Sequence, residues 1–445
     1  MRPLDEIDVR ALPSEAYRPY ASLFVDQRSA LAERIASFGL PTVPRSRDAA
    51  QIARIRRGLE ESGCSLGNGG KSLAWNGMSP ACERCRTGEK SVSFFLSLAC
   101  DRKCWFCFNE NQCDWDAYRN AKTDWRSDMD SRFQQMGGLD FVALTGGEPM
   151  LYPEEACAFF AHAKQLDPAV HCRLYTAGLN VDAKRLEELA ASGLDEIRFS
   201  CKLDDPPARK RELVERIESA CGIVPTVMVE MPVIPGSHDE MLQLLDHLED
   251  AGAFGINLLE FCFPLHHADE YRRRGMQLVE DPYRVVYDYG YAGAIPVAGS
   301  ELLSLQLMAE KMAQGTRLSL HYCSLENKNT AQIFEQNHGG ALSIPGYRFS
   351  KADFFYRTVR VFGEDAATAA RALEGEGAFV SYDAEGRMAS FSPDHLAMVA
   401  SALPKAARFH ASSAVIERGE DGRERFREVD LHVLEPADVE RPEEV

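Results

Sequence analysis

What is missing narrows this chain first. Nowhere in its 445 residues does an apolar run approach the ~18 residues of a membrane span. The opening, Met1 to Glu6, lacks the charged-then-apolar pattern of an export signal. No segment repeats another. Basic residues are in deficit, with 50 Lys+Arg against 68 Asp+Glu and a net charge of −18. That balance argues against general nucleic-acid binding, which wants a basic surface. Neither a membrane nor a nucleic acid is therefore an expected partner. Apolar content of 45% and charged content of 27% are ordinary for a globular chain. The length allows two or three domains with a substantial core. Cysteine is not scarce: there are 13, an odd number and clustered. Without an export signal, such thiols fit metal ligands in a reducing cytoplasm better than disulfides.

Three thiols stand at the spacing Cys100-x3-Cys104-x2-Cys107. They follow an apolar run, Val92 to Leu98, that reads as a buried strand. The thiols thus lie on a loop at a strand's C-terminal end, where α/β enzymes place their chemistry. Random placement of 13 cysteines would give roughly 0.01 such triplets in this length. Three close thiolates suit an Fe–S cluster. A four-iron cubane held by three protein ligands keeps one iron open to a small molecule. Zinc and buried structural thiols are the bland alternatives.

Some forty residues on, the apolar strand Phe141 to Thr145 ends in Gly146-Gly147-Glu148-Pro149. Glycines let backbone approach a neighbour closely, and a carboxylate with exposed carbonyls suits an ammonium. The pair of motifs resembles the radical SAM superfamily. The resemblance implies that Cys100, Cys104 and Cys107 hold a [4Fe–4S] cluster. It implies that S-adenosylmethionine (SAM) binds the open iron, with Gly146, Gly147, Glu148 and Pro149 at its amino group. Phe106, just before the third cysteine, fits the same pattern. The likeness further suggests Thr176 and Ser200 near the ribose or carboxylate of SAM, although Ala177 stands where the family has an amide. The blocks around Cys82-x2-Cys85, Asn257 to Phe261 and His321 to Ser324 are most similar to an uncharacterised group related to pyruvate formate-lyase activating enzyme.

From residue 91 the chain alternates strand and helix. Strands are expected near 91–98, 140–145, 171–176, 195–201, 225–231 and 254–262. Helices are expected near 126–136, 153–166, 181–192, 206–221 and 237–252. Six such units predict a parallel sheet with right-handed crossovers. The resemblance implies the same α/β architecture, an open partial (β/α)6 barrel over 91–265. Before it, residues 1–90 form a helical, Cys-containing segment, with helices at Tyr20–Phe38 and Ser46–Ser62. Residues 63–90, rich in Gly and Pro, read as irregular backbone that needs an anchor. Residues 266–345 form a bridge with a helix near 301–314. Residues 346–434 read as a small α+β domain in ferredoxin-like βαββαβ order, with a hairpin turn at Asp383 to Gly386. An acidic tail, 435–445, follows.

Four further thiols, Cys64, Cys82, Cys85 and Cys323, sit in turn-rich contexts. Cys82-x2-Cys85 alone is a common metal half-site. The four are expected to hold an auxiliary [4Fe–4S] cluster, with zinc as the alternative. Cys157, Cys172 and Cys221 read as buried thiols; Cys113 is ambiguous. Glu260, at the sixth strand's end, is the expected substrate-facing acid or base, with Cys262 and Cys201 as weaker hydrogen donors and Glu230 as a second carboxylate. Lys202 shares a strand face with Arg198 and Ser200. His266 and His267 read as exposed loop residues near the mouth.

The expected activity is reductive SAM cleavage followed by hydrogen abstraction from an unidentified substrate, a peptide or protein slightly ahead of a small molecule. A flavodoxin or ferredoxin would supply the electron. Glycyl-radical-enzyme activation, and Fe–S electron transfer without SAM turnover, are the alternatives.

Overall fold

A computed structural model describes residues 1–15, 17–286, 294–385, 387–441 and 445. The chain divides into two compact units. The larger runs from Phe38 to Pro282 and includes the stretch ending at Asn329. The smaller joins Met1–Ser37 to Thr330–Val445, with a short stretch beginning at Tyr283.

The larger unit is built on one sheet. Its strands are β1 (Ser91–Phe95), β2 (Phe141–Thr145), β3 (His171–Thr176), β4 (Glu196–Phe199), β5 (Thr226–Val233), β6 (Gly255–Glu260) and β7 (Ser319–Cys323). All seven are parallel and pair in chain order. A hairpin of Ser65–Gly67 and Ser72–Trp75 extends the sheet antiparallel beyond β7. The sheet does not close: β1 and the hairpin are its two edges. The fold is an α/β partial barrel of open form. Each crossover between β1 and β6 carries one long helix, α1 (Trp125–Met136), α2 (Pro153–Leu166), α3 (Ala183–Ala191), α4 (Pro207–Cys221) and α5 (His238–Asp250), and the first also holds the short helix Trp115–Asn120.

Sequence explains these elements simply. In β2, Val142, Ala143 and Leu144 are buried, as a parallel strand covered on both faces requires. The helices turn one apolar stripe inward, such as Met241, Leu244, Leu245 and Leu248 of α5. Together they form one continuous core.

Two departures from the sequence reading concern this unit. The parallel sheet has a seventh strand, β7, reached through the helix α6 (Ser300–Ala313). Residues 63–90 are not simply irregular. They supply the edge hairpin and a short helix, Pro80–Arg84, capped by the Ser79 hydroxyl, which accepts from the Ala81 N–H.

In the smaller unit, β8 (Tyr356–Phe362), α7 (Glu364–Gly375), β9 (Ser381–Asp383), β10 (Met388–Phe391), α8 (Leu396–Ala402) and β11 (Phe409–Arg418) follow the βαββαβ order. The sheet order β11-β8-β10-β9 is antiparallel throughout. A strand β12 (Glu424–Val433) and Arg2–Pro3 extend its edge. The expected hairpin joins β9 to β10; Gly386 of its turn lies outside the described residues, as do residues 442–444 of the tail. The N-terminal helix Arg18–Ser37 groups with this unit rather than with residues 38–90. That regroups the expected 1–90 segment, because Arg2–Pro3 pairs with β12. Among the described residues no helix is long and apolar enough to cross a membrane.

Candidate active site

Parallel strands aim their C-terminal ends the same way, so the loops that follow them share one mouth. A cavity of about 1110 Å³ opens there. Cys100, Cys104 and Cys107 line it, and so do Gly146, Gly147 and Glu148. Thr176, Ser200, Phe106, Glu260 and Cys262 line it as well. Most of the residues singled out for cofactor and substrate therefore share one chamber, although they are spread over more than 160 positions of chain.

The cysteine loop is held from several sides. Lys202 donates to the Cys104 sulfur through its ammonium. The Arg102 N–H donates to Cys100 at 3.4 Å, and the Arg102 guanidinium pairs with Asp205 at 2.5 Å. Trp105 donates to Asp204 at 3.2 Å and lies under the Arg274 guanidinium, 4.4 Å from its ring centre. Burial pushes the Cys107 thiol up to about 11, with Cys104 and Cys100 adding to the rise. Burial likewise raises Cys100, against the Arg102 N–H that lowers it. Metal binding at these thiols would release their protons.

The Gly-Gly-Glu-Pro loop has a structural reason for its glycines. Gly147 donates to Ser97 O at 3.1 Å and Glu148 N donates to Ala99 O at 2.8 Å. A Cβ at Gly147 would stand 1.9 Å from Ala99 O; one at Gly146, whose φ is +101°, would stand 2.4 Å from Phe95 Cβ. The close approach is to the backbone leading into Cys100. Asn109 then donates to Gly146 O at 2.6 Å, locking the loop from the far side of Cys107.

Glu148 lines the cavity, and its carboxylate is held by donors of the chain itself. It is 2% exposed. Its oxygens accept from Met150 N at 2.9 Å, the Thr176 hydroxyl at 2.8 Å and Ala177 N at 2.6 Å. Burial raises its pKa, and the two backbone donors and Thr176 oppose that rise. Glu148 thus ties the end of β2 to the end of β3. Pro149 is buried beneath it.

The auxiliary set does not assemble as four. Cys64 is buried in the apolar core with its sulfur 3.6 Å from that of Met312. The edge hairpin begins one residue later. Cys82 and Cys85 act electrostatically on Cys323. Burial pushes the Cys323 thiol up to about 12, with Cys85 and Cys82 both adding to the rise.

Around Cys82 lies a buried polar network that sequence reasoning missed. Arg198 donates to Glu196 at 2.5 Å, Glu230 at 2.6 Å, the Tyr175 hydroxyl at 3.1 Å, Ser79 at 3.0 Å and the Cys82 sulfur at 3.3 Å. Asn257 donates to Glu230 at 2.7 Å and to Cys82 at 3.4 Å, and His321 bonds Asn257 at 2.9 Å. Burial would raise Cys82, but the Arg198 charge and the His321 hydrogen bond outweigh it and hold the thiol at about 7. Alternation along β4 put Arg198 and Ser200 on one face; nothing local announced that Glu196, Glu230 and Ser79 would share the cation.

Glu260 accepts from the Leu325 N–H at 2.8 Å. Burial, reinforced by Glu301, lifts its pKa to about 7. Burial pushes Cys262 up to about 11 and Cys201 to about 12, so both are neutral thiols. Phe106 packs edge-on to Trp105 and Phe261, with ring centres 5.2 and 5.7 Å apart.

Residues 95–248 match the family model of the radical SAM superfamily. A Methanocaldococcus jannaschii protein, provisionally named a glycyl-radical enzyme activating enzyme, is 26% identical over 261 residues. That alignment covers 57% of this chain and 64% of the relative, so the chain spans less than two thirds of its length. Among solved structures, Streptococcus suis SuiB bound to the precursor peptide SuiA is 14% identical. Its TM-score is 0.37, covering 73% of this chain and 67% of that one. Coproporphyrinogen III oxidase (HemN) of Escherichia coli gives 10% identity and a TM-score of 0.34, covering 76% and 70%. The matching domain spans the cysteine loop, the Gly-Gly-Glu-Pro loop and strands β2 to β5, so residues 95–248 carry a radical SAM domain.

Proposed function

We propose that this enzyme cleaves SAM reductively and removes a hydrogen atom from a substrate held in the 1110 Å³ cavity. One observation carries the reading: the three thiols and the Gly146–Glu148 loop line the same chamber. When bound, a [4Fe–4S] cluster on Cys100, Cys104 and Cys107, together with SAM, supplies one-electron C–S cleavage and the 5′-deoxyadenosyl radical.

The chain's own residues hold and shield that chemistry. The Lys202 ammonium donates to the Cys104 sulfur and the Arg102 N–H to the Cys100 sulfur, which fixes the thiol loop against the cavity wall. The hydrogen bonds of Gly147, Glu148 and Asn109 keep the SAM-facing loop in register with Cys100. Ser200 lines the cavity wall, while the Thr176 hydroxyl is engaged by Glu148 and by the Gly178 N–H and so acts through the loop it holds. Trp105, Phe106 and Phe261 form an aromatic wall that excludes water from the chamber. Glu260, with its pKa at about 7, gives or takes a proton at its carboxylate near neutral pH.

The substrate in this reading is a peptide or protein rather than a small molecule, and the reductant a flavodoxin or ferredoxin in the cytoplasm. Activation of a glycyl-radical enzyme is the second reading, supported by the name of the archaeal relative. The proposal keeps an auxiliary cluster on Cys82, Cys85 and Cys323, without Cys64. Total iron of about four per chain would remove it, and about seven to eight would support it.

Anaerobic reconstitution, dithionite and SAM, followed by mass spectrometry for 5′-deoxyadenosine, tests the main reading. Release by the wild type and its loss in Cys100→Ala, Cys104→Ala and Cys107→Ala is expected. Undiminished release from those variants overturns it.

A further inference from the structure

At the cavity rim, three side chains outside the thiol sets come together. Glu110 lies on the 3₁₀ turn Phe108–Asn111, three residues past Cys107. His266 and His267 lie on the loop after the short strand Cys262–Phe263. Ligand atoms of all three fall within 4.8 Å of one another. A Glu110 oxygen is 3.3 Å from His267 Nε2 and 3.9 Å from His266 Nδ1. Two ligands each about 2.1 Å from one ion, at angles between tetrahedral and octahedral, stand roughly 3.0–3.5 Å apart. The His267 pair already meets that spacing, and the His266 pair needs a closure of a few tenths of an ångström.

The two loops are joined independently of this cluster: Asn111 donates to Pro264 O at 2.8 Å. Leu265 and His267 both hold positive φ, +70° and +57°, a left-handed conformation that non-glycine residues seldom adopt. The ring centres of His266 and His267 are 4.5 Å apart. His266 carries the second observation. Both of its ring nitrogens are shut off from solvent, yet among the described residues neither completes a hydrogen bond. Its nearest polar neighbours are Glu110 and the Cys107 main chain. The side chain keeps 22% of its surface exposed, but covered nitrogens with no completed bond forfeit their hydration unless something ligates them. A simple ion pair needs one histidine, whereas here two converge on a single carboxylate.

We propose that Glu110, His266 and His267 form a binding site for a divalent first-row transition ion. Two imidazoles and one carboxylate suit zinc or its neighbours and are too few and too nitrogen-rich for magnesium or calcium. Three protein ligands leave coordination positions open. Glu110 and His267 line the cavity, so an anionic group of a molecule in that chamber can take an open position. The site uses no cysteine and stands whether or not the radical reading does.

The test uses the full-length, cluster-reconstituted protein in anaerobic equilibrium dialysis against Zn²⁺, with Mg²⁺ as the hard-ion control. The wild type is expected to retain one zinc per chain more than the His266→Ala/His267→Ala double variant. Zinc should also raise the thermal midpoint of the wild type only. Glu110→Gln keeps the side-chain shape and should weaken zinc binding at least tenfold. Equal zinc uptake and equal thermal shifts in wild type, double variant and Glu110→Gln overturn the site.

Discussion

Replacing Gly147 by alanine puts one carbon where the backbone leaves no room. The new Cβ would lie 1.9 Å from Ala99 O and 2.6 Å from Leu98 C. Both obstacles are main chain, so no rotamer relieves them. The loop and the segment leading into Cys100 must part. That breaks Gly147 N to Ser97 O and Glu148 N to Ala99 O, about 1 kcal/mol each. Overpacking adds about 1–3 kcal/mol. The expected loss is about 3–5 kcal/mol, a large fraction of the ~5–15 kcal/mol that holds a typical domain. Ala99 precedes Cys100, so iron content after reconstitution should fall as well. All four tryptophans, Trp75, Trp105, Trp115 and Trp125, lie in the larger unit. Tryptophan fluorescence during urea unfolding of the cluster-free protein therefore reads that unit alone. Gly58→Ala is the control. It lies inside the helix Ser46–Glu61 with nothing within 4 Å of the added carbon, and should stabilise by about 0.5–1 kcal/mol. A Gly147→Ala protein with the wild-type urea midpoint and full iron would refute the reasoning.

Three further outcomes are expected. Arg198→Met takes the guanidinium from Glu196 and Glu230 in a buried site, leaving Glu196 the His171 ring at 3.1 Å, and should cost about 3–5 kcal/mol by urea unfolding; a loss below about 1 kcal/mol would mean the carboxylates find other partners. Burial holds the Glu260 pKa near 7, above its ordinary 4.5, so the folded state keeps this proton longer. The stability it contributes is complete below about pH 4.5 and lost as pH rises through about 7. Relative to Glu260→Gln, the wild type should lose stability between pH 5 and 8; parallel curves would contradict the burial. Cys64→Ala should leave iron and sulfide unchanged while costing about 1 kcal/mol of packing against Met312; a loss of about four irons would restore Cys64 to the ligand set.

The barrel was legible because its units alternate cleanly. The expected strand at 171–176 is the observed His171–Thr176, and the expected helix at 153–166 is Pro153–Leu166. The small unit read equally well, since each element carries its own apolar periodicity. Ser319–Cys323 escaped as a strand because its five residues, Ser-Leu-His-Tyr-Cys, alternate over too short a run to stand out from the loop around them. The hairpin at 65–75 escaped because Ser65–Gly67 is short and polar and is held by its partner strand. The thiol loop was readable from spacing alone. The placement of Cys64 was not, because whether a loop sulfur meets metal or core depends on contacts hundreds of residues away. Glu148 was read as a ligand group, and its three donors come from its own loop and the next strand's end. The Glu110–His266–His267 cluster joins loops more than 150 positions apart, which no local pattern encodes.

Arg198 has a consequence for how this chain can diverge. Five groups draw on one guanidinium, so their fates are coupled rather than additive. A lone change at Glu196 or Glu230 leaves the cation one carboxylate in place of two in a site with little water. A lone change at Arg198 strands two anions. Drift through this region must therefore move by paired replacements, and variant libraries that sample one position at a time will find it far more rigid than it is.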